Sequence, residues 1–97
     1  MYASIRRYNV NPGAMTEMVQ KVEEGFAPLI RRAPGLVSYN LIQVSDHTLI
    51  SISLFTDQEG AEESNRIAAN WVAPNVGNLV QGLAQTIEGP VVVHCVK

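Results

Sequence analysis

Apolar residues along this chain change their spacing four times, and the changes divide it into strand, helix, two strands, helix and strand. Tyr2 to Tyr8 is short and partly β-branched or aromatic, and the turn formers Asn11, Pro12 and Gly13 follow it. Met15, Met18, Val19, Val22, Phe26, Leu29 and Ile30 then share one face of a 3.6-residue period, which predicts the first helix. Gly25 weakens that helix and Pro28 removes a backbone donor, so it should bend or re-form near Phe26 to Leu29. Arg31 and Arg32 suit its carboxyl end, and Pro34 with Gly35 stops it.

Leu36 to Val44 and Thr48 to Phe55 read as a hairpin turning at Ser45, Asp46 and His47. In the second of these strands Ile50, Ile52 and Leu54 share one face, and Ser51 and Ser53 the other. Thr56 and Glu59 have the spacing of a capping box, which predicts the start of the second helix. Its inward stripe is Ala61, Ser64, Ala68, Trp71 and Val72, with Pro74 ending it or opening a new turn. Asn75 to Ala84 reads as a short helix or helical turn, and Thr86 to Val96 as the last strand, with Gly89 and Pro90 marking a bulge or an edge.

This order predicts an α+β fold: a βαββαβ chain with an antiparallel sheet. Its strands carry more apolar surface than two helices on one face can cover, which predicts burial of the other face by a second copy of the chain. The length suits one domain, residues 1–97. Seven basic residues against nine acidic ones give a charge of −2, too little positive field for a nucleic-acid partner. Apolar runs such as Val91 to Val93 fall far short of the ~20 residues of a membrane helix. One cysteine, Cys95, and no secretory pattern at the amino end lead to the expectation of a soluble cytoplasmic protein.

Pro34 to Tyr39 entering the second strand, Phe55 to Glu59, and Glu63 to Val72 resemble the antibiotic biosynthesis monooxygenase-like family, with the likeness extending over the whole chain. The resemblance implies a ferredoxin-like fold paired into a dimeric α+β barrel that buries the sheets between subunits and leaves each subunit a pocket between sheet and helices. Such families include cofactor-independent oxygenases of aromatic polyketides and haem-degrading enzymes. The haem-degrading pattern asks for a Trp near position 64 and a His on or after the second helix. Here Ser64 holds the first position and no His occurs on that helix or through Ala84, so haem degradation is not expected.

Four residues are candidates for binding a substrate. Arg7 on the first strand is placed to project toward the sheet–helix pocket and attract an anionic or enolate group, with Arg6 on the opposite face; a surface position or an inter-subunit ion pair is the plainer reading. Tyr39 is either a hydroxyl donor or a cross-strand packing aromatic. Asn65, with Arg66 beside it, either orients a carbonyl or phenolate or is a solvated helix residue. Trp71 either lines the pocket or packs the core.

His94 and Cys95, adjacent on a strand, would point to opposite faces, and two scattered histidines make no metal site. No glycine-rich phosphate loop is present, so neither a metal nor a nucleotide or flavin cofactor is expected. The resemblance leads to the expectation of a homodimer that binds a small aromatic or polyketide-like molecule and oxidises it as a cofactor-independent monooxygenase. The alternative is a non-catalytic binding or interaction module of the same fold.

Overall fold

A computed structural model describes residues 1–97, in the order β1 (Tyr2–Asn9), α1 (Met15–Lys21), a π-helical turn (Val22–Phe26), α2 (Ala27–Arg31), β2 (Leu36–Gln43), β3 (Thr48–Phe55), α3 (Gln58–Val76), a 3-10 turn (Gly77–Leu79) and β4 (Gln85–Pro90). Because α1, the π turn and α2 are continuous, the chain has two helical rods and four strands. All strand pairs are antiparallel in the order β2-β3-β1-β4, and both rods lie on one face, giving the ferredoxin-like α+β arrangement.

The first rod re-forms one turn earlier than its sequence suggests. The π turn inserts an extra residue per turn ahead of Pro28, and this rotates the face that follows. Phe26 and Ile30 therefore stay buried in line with Met15, Met18 and Val22, whereas Leu29, expected inside, is 41% exposed. Gly35, at φ +80°, makes the turn into β2, and its carbonyl accepts from the Thr56 amide.

The start of α3 differs by one residue from the expected Thr56. Asp57 is the N-cap, in extended conformation, and its Oδ1 accepts from the Gly60 amide at 2.8 Å. The helix then runs through Pro74 to Val76 rather than stopping there. Proline removes one donor, and only two residues follow it in the helix, so the loss stays local. Within Asn75 to Ala84, expected as a short helix or helical turn, the chain makes one 3-10 turn and then an isolated bridge between Val80 and Val10.

β4 also stops earlier than expected. Its partner β1 begins at Tyr2, which pairs with Pro90, and the Val91 amide makes the last backbone bond, to the Met1 carbonyl. With no partner beyond that point, Val92 to Lys97 has no regular structure, and Val92, Val93 and Val96 are exposed despite their β propensity. His94 and Cys95 therefore sit on this exposed tail and not on a strand.

The orientation of the sheet is its least expected property. Ser4, Ser51 and Ser53 are fully or almost fully buried beneath the rods, where they meet the small stripe Ala61, Ser64 and Ala68 of α3. The greasy side of β3 (Ile50, Ile52, Leu54) faces away from the helices, together with Ile5, Ile42 and Ile87 by strand register. Ile87 is 68% exposed on that face. Small residues on both sides let α3 approach the sheet closely, and the bulkier core gathers around Phe26, Ile30, Met18 and Leu49.

Candidate functional site

Alternation along β1 places Ser4, Arg6 and Tyr8 under the helices and Ala3, Ile5 and Arg7 on the opposite side. This reverses the expected roles of the two arginines. Arg7 is exposed on the outer face, where Ile50 is its register partner, while Arg6 is only 3% exposed. The serines decide the phase: the small stripe of α3 needs small residues beneath it, and Ser4 supplies one.

Asn65, on the sheet-facing side of α3, organises the surroundings of Arg6. Its Oδ1 accepts from Ser4 Oγ at 2.6 Å and from Arg6 Nη1 at 2.8 Å. Its Nδ2 donates to Glu88 Oε2 on β4 at 2.6 Å. One amide thus ties together β1, α3 and β4. The Arg6 guanidinium also lies 5.9 Å from the centroid of the Phe26 ring, within cation–π range.

No carboxylate is paired with Arg6, and its Nε is buried without a hydrogen-bond partner. A buried cation without a counter-charge is costly, so the charge of Arg6 is not balanced by any side chain of the fold. Arg6 and Asn65 lie on the wall of a cleft of about 620 Å³ between α3, β1 and the segment leading into β4. Thr86 adds a third polar group, and Val72, Val80 and Leu83 supply apolar wall. The 77–81 segment is pinned to the end of β1 by Asn11 and Gln81 backbone amides donating to Leu79 and Asn9 carbonyls, and by Asn11 Nδ2 donating to the Asn78 carbonyl. A groove of about 540 Å³ along the first rod is comparably roomy, but its only charged groups are the carboxylates of Glu23, Glu24 and Asp46, and its donors Thr16, Gln20 and Gln43 are exposed.

Trp71 and Tyr39 are drawn to a different place. Both pack on Phe26, with ring centroids 5.5 and 5.6 Å away, and both line a nearly filled apolar space of about 10 Å³. Gly25 in the π turn makes room for the indole: a Cβ there would stand 2.8 Å from Trp71 Cζ2. Burial pushes the Tyr39 phenol up to about 12, with the Arg6 charge pulling in the opposite sense. Arg6 and Tyr8 touch both spaces, so the packed aromatic cluster and the open cleft share a wall. Arg66 is turned to solvent and paired with Glu63.

Of the four sequence candidates, the structure places Asn65 on the cleft, Tyr39 and Trp71 behind it, and Arg7 on the far side of the sheet. Arg6, Ser4, Thr86 and Glu88 were not among the candidates. The signal that finds them is the small-residue stripe of α3, which fixes the phase of β1 and, through register pairs Ser4 with Glu88 and Arg6 with Thr86, that of β4.

No curated protein matches the chain by sequence. Among solved structures, a protein of unknown function from Nitrosomonas europaea superposes with a TM-score of 0.83 at 17% identity, over 99% of this chain and 93% of that one. A monooxygenase of Streptomyces coelicolor, solved with the ligand nanaomycin D, gives 0.77 at 12% identity, over 99% and 91%. SnoaB, a cofactor-independent oxygenase from Streptomyces nogalater, gives 0.75 at 19%, over 96% and 94%. At these identities the likeness speaks for the fold. The sequence profile of antibiotic biosynthesis monooxygenase matches residues 1–66, a stretch that holds Arg6, Tyr39 and Asn65, and by that match the chain belongs to the antibiotic biosynthesis monooxygenase family.

Proposed function

We propose that the Arg6–Asn65 cleft binds a small aromatic, polyketide-like molecule through an anionic oxygen, and that the protein oxidises it with dioxygen as a cofactor-independent monooxygenase. The observation that carries this reading is the buried Arg6 guanidinium on the cleft wall, a cation with no carboxylate partner. Its charge favours the enolate or phenolate form of a bound substrate in a site partly screened from water. For a substrate with an activated CH2 next to an aromatic ketone, the proton leaves to solvent and the carbanion gives one electron to O2. Superoxide and the carbon radical join in a C–O bond, the peroxide takes up a proton, and loss of water leaves a new carbonyl. In sum, CH2 and O2 become C=O and H2O.

The reading includes a homodimer. The outward face with Ile5, Ile50, Ile52, Leu54 and Ile87 is the surface a second copy would cover; Ile87 is exposed and the others half-buried, so covering each adds at most about 1.5–3 kcal/mol. Ile52→Glu, at the centre of that face, should convert the dimer to a monomer in sedimentation equilibrium. A wild-type chain that is monomeric at micromolar concentration overturns this part.

One observation favours the non-catalytic alternative: the cleft lining holds no carboxylate, histidine or lysine to act as a general base. Calorimetric titration with naphthoate and its neutral isostere naphthamide, beside an oxygen electrode with anthrone as substrate, separates the readings. The proposal expects naphthoate to bind at least about tenfold tighter and anthrone to be converted to anthraquinone with matching oxygen uptake. Binding without oxygen uptake leaves a binding module, and equal affinity for acid and amide overturns the anion site.

A further inference from the structure

We propose that Glu88 is a positioning residue for the anion site: it fixes the direction of the Asn65 amide and thereby the aim of Arg6. The inference rests on the reading of the cleft as an anion site. A terminal Asn amide turns about a broad, roughly two-fold torsion, so its direction is set by its partners. Three side chains meet this amide. The Ser4 hydroxyl can donate or accept and fits either direction. Arg6 only donates, and it is itself the group to be aimed. Glu88 as a carboxylate only accepts, and it receives Nδ2 at 2.6 Å.

With Nδ2 held by Glu88, Oδ1 has to face Ser4 and Arg6, and two donors fill its two lone pairs. Asn65 Oδ1 is then satisfied and offers nothing to a ligand. Arg6 is held through one N–H of Nη1; its second Nη1 hydrogen and Nη2 make no hydrogen bond within the protein, and Nε is buried. Were the amide to turn over, its oxygen would face a carboxylate and its NH2 a guanidinium, two repulsive contacts in place of two charge-assisted hydrogen bonds. Glu88 is exposed and outside the cleft lining, so it shapes the site through Asn65 rather than by touching a ligand.

The test compares Glu88→Ala with Glu88→Gln, whose Oε1 still accepts from Nδ2 without the charge. In nitrogen-15 NMR of the ligand-free protein, the Asn65 side-chain NH2 should give two well-separated proton signals in the wild type and in E88Q. In E88A they should move toward the free-amide position. Naphthoate affinity should fall roughly tenfold in E88A and should not fall in E88Q, with melting temperatures close to wild type in both. An Asn65 NH2 signature in E88A that matches the wild type overturns the proposal, as does E88Q behaving like E88A. Failure of the wild type to bind naphthoate strikes the anion site instead, because the NMR comparison needs no ligand.

Discussion

Replacing Arg6 with methionine separates stability from binding in opposite directions, and the structure sets the sizes. The substitution removes one charge-assisted hydrogen bond, Arg6 Nη1 to Asn65 Oδ1 at 2.8 Å, worth about 1.5–3 kcal/mol. It also removes the contact with the Phe26 ring, worth about 1 kcal/mol. Against this, a guanidinium 3% exposed and without a carboxylate partner is taken out of the interior, which relieves a desolvation cost of several kcal/mol. Asn65 Oδ1 keeps the Ser4 hydroxyl, so no acceptor is orphaned. The balance is near zero to about 2 kcal/mol in favour of the variant. At 4–8 °C per kcal/mol for a chain of this size, Tm should be unchanged or raised by up to roughly 15 °C. Naphthoate, losing its charged donors, should bind roughly ten- to hundredfold more weakly, while naphthamide changes little. Differential scanning calorimetry and isothermal titration on the same preparation give both numbers. A fall in Tm of more than about 8 °C would show that Arg6 is there to hold the fold, and undiminished naphthoate affinity would refute its role in binding.

Two further outcomes follow from the aromatic cluster. Gly25→Ala gains about 1 kcal/mol of helix preference but drives a Cβ to 2.8 Å from Trp71 Cζ2, an overpacking that costs about 1–3 kcal/mol. The single variant should therefore melt lower and the double variant with Trp71→Phe should recover, a coupling visible in a double-mutant cycle; a higher Tm in Gly25→Ala alone contradicts the packing. The raised phenol of Tyr39 predicts alkaline sensitivity: its contribution is intact below pH 10, where both states hold the proton, and is lost progressively as pH rises toward 12 and only the unfolded chain has ionised. On the order of 2 kcal/mol should disappear over that window, read as the difference between wild type and Tyr39→Phe in urea titrations, and an identical pH profile for the two proteins would dismiss it.

Element order was legible because each element has its own period: Met15, Met18 and Val22 on one helix face, and the strict serine–isoleucine alternation of β3 on a strand. Which face of the sheet meets the helices was not. A rule that puts isoleucines inside would seat Ile50 and Ile52 under α3, but the stripe of Ala61, Ser64 and Ala68 leaves no gap for them and takes serines instead. That one phase decides whether Arg6 or Arg7 reaches the cleft, so the error in the site followed from the sheet and not from the chemistry. Asn65 was visible beside the stripe, yet its partners on β1 and β4 are 61 and 23 residues away and depend on register. Strand four was drawn too long for a related reason: Val91 to Val96 has the propensity of a strand, and pairing ends where β1 runs out at Tyr2. At the start of α3, Thr56 and Asp57 are both good caps, and sequence spacing favoured the wrong one.

The serine layer beneath α3 acts as a spacer of minimum thickness. Widening the seam at Ser53 on the sheet or Ala61 on the helix, neither of which lines the cleft, would lift the helix as a shim lifts a beam and carry Asn65 away from Arg6. The reach between the two polar groups is thus governed from outside the place where a ligand would sit. Selection for a larger or smaller guest has a lever in those buried small residues that leaves every wall residue of the cavity unchanged.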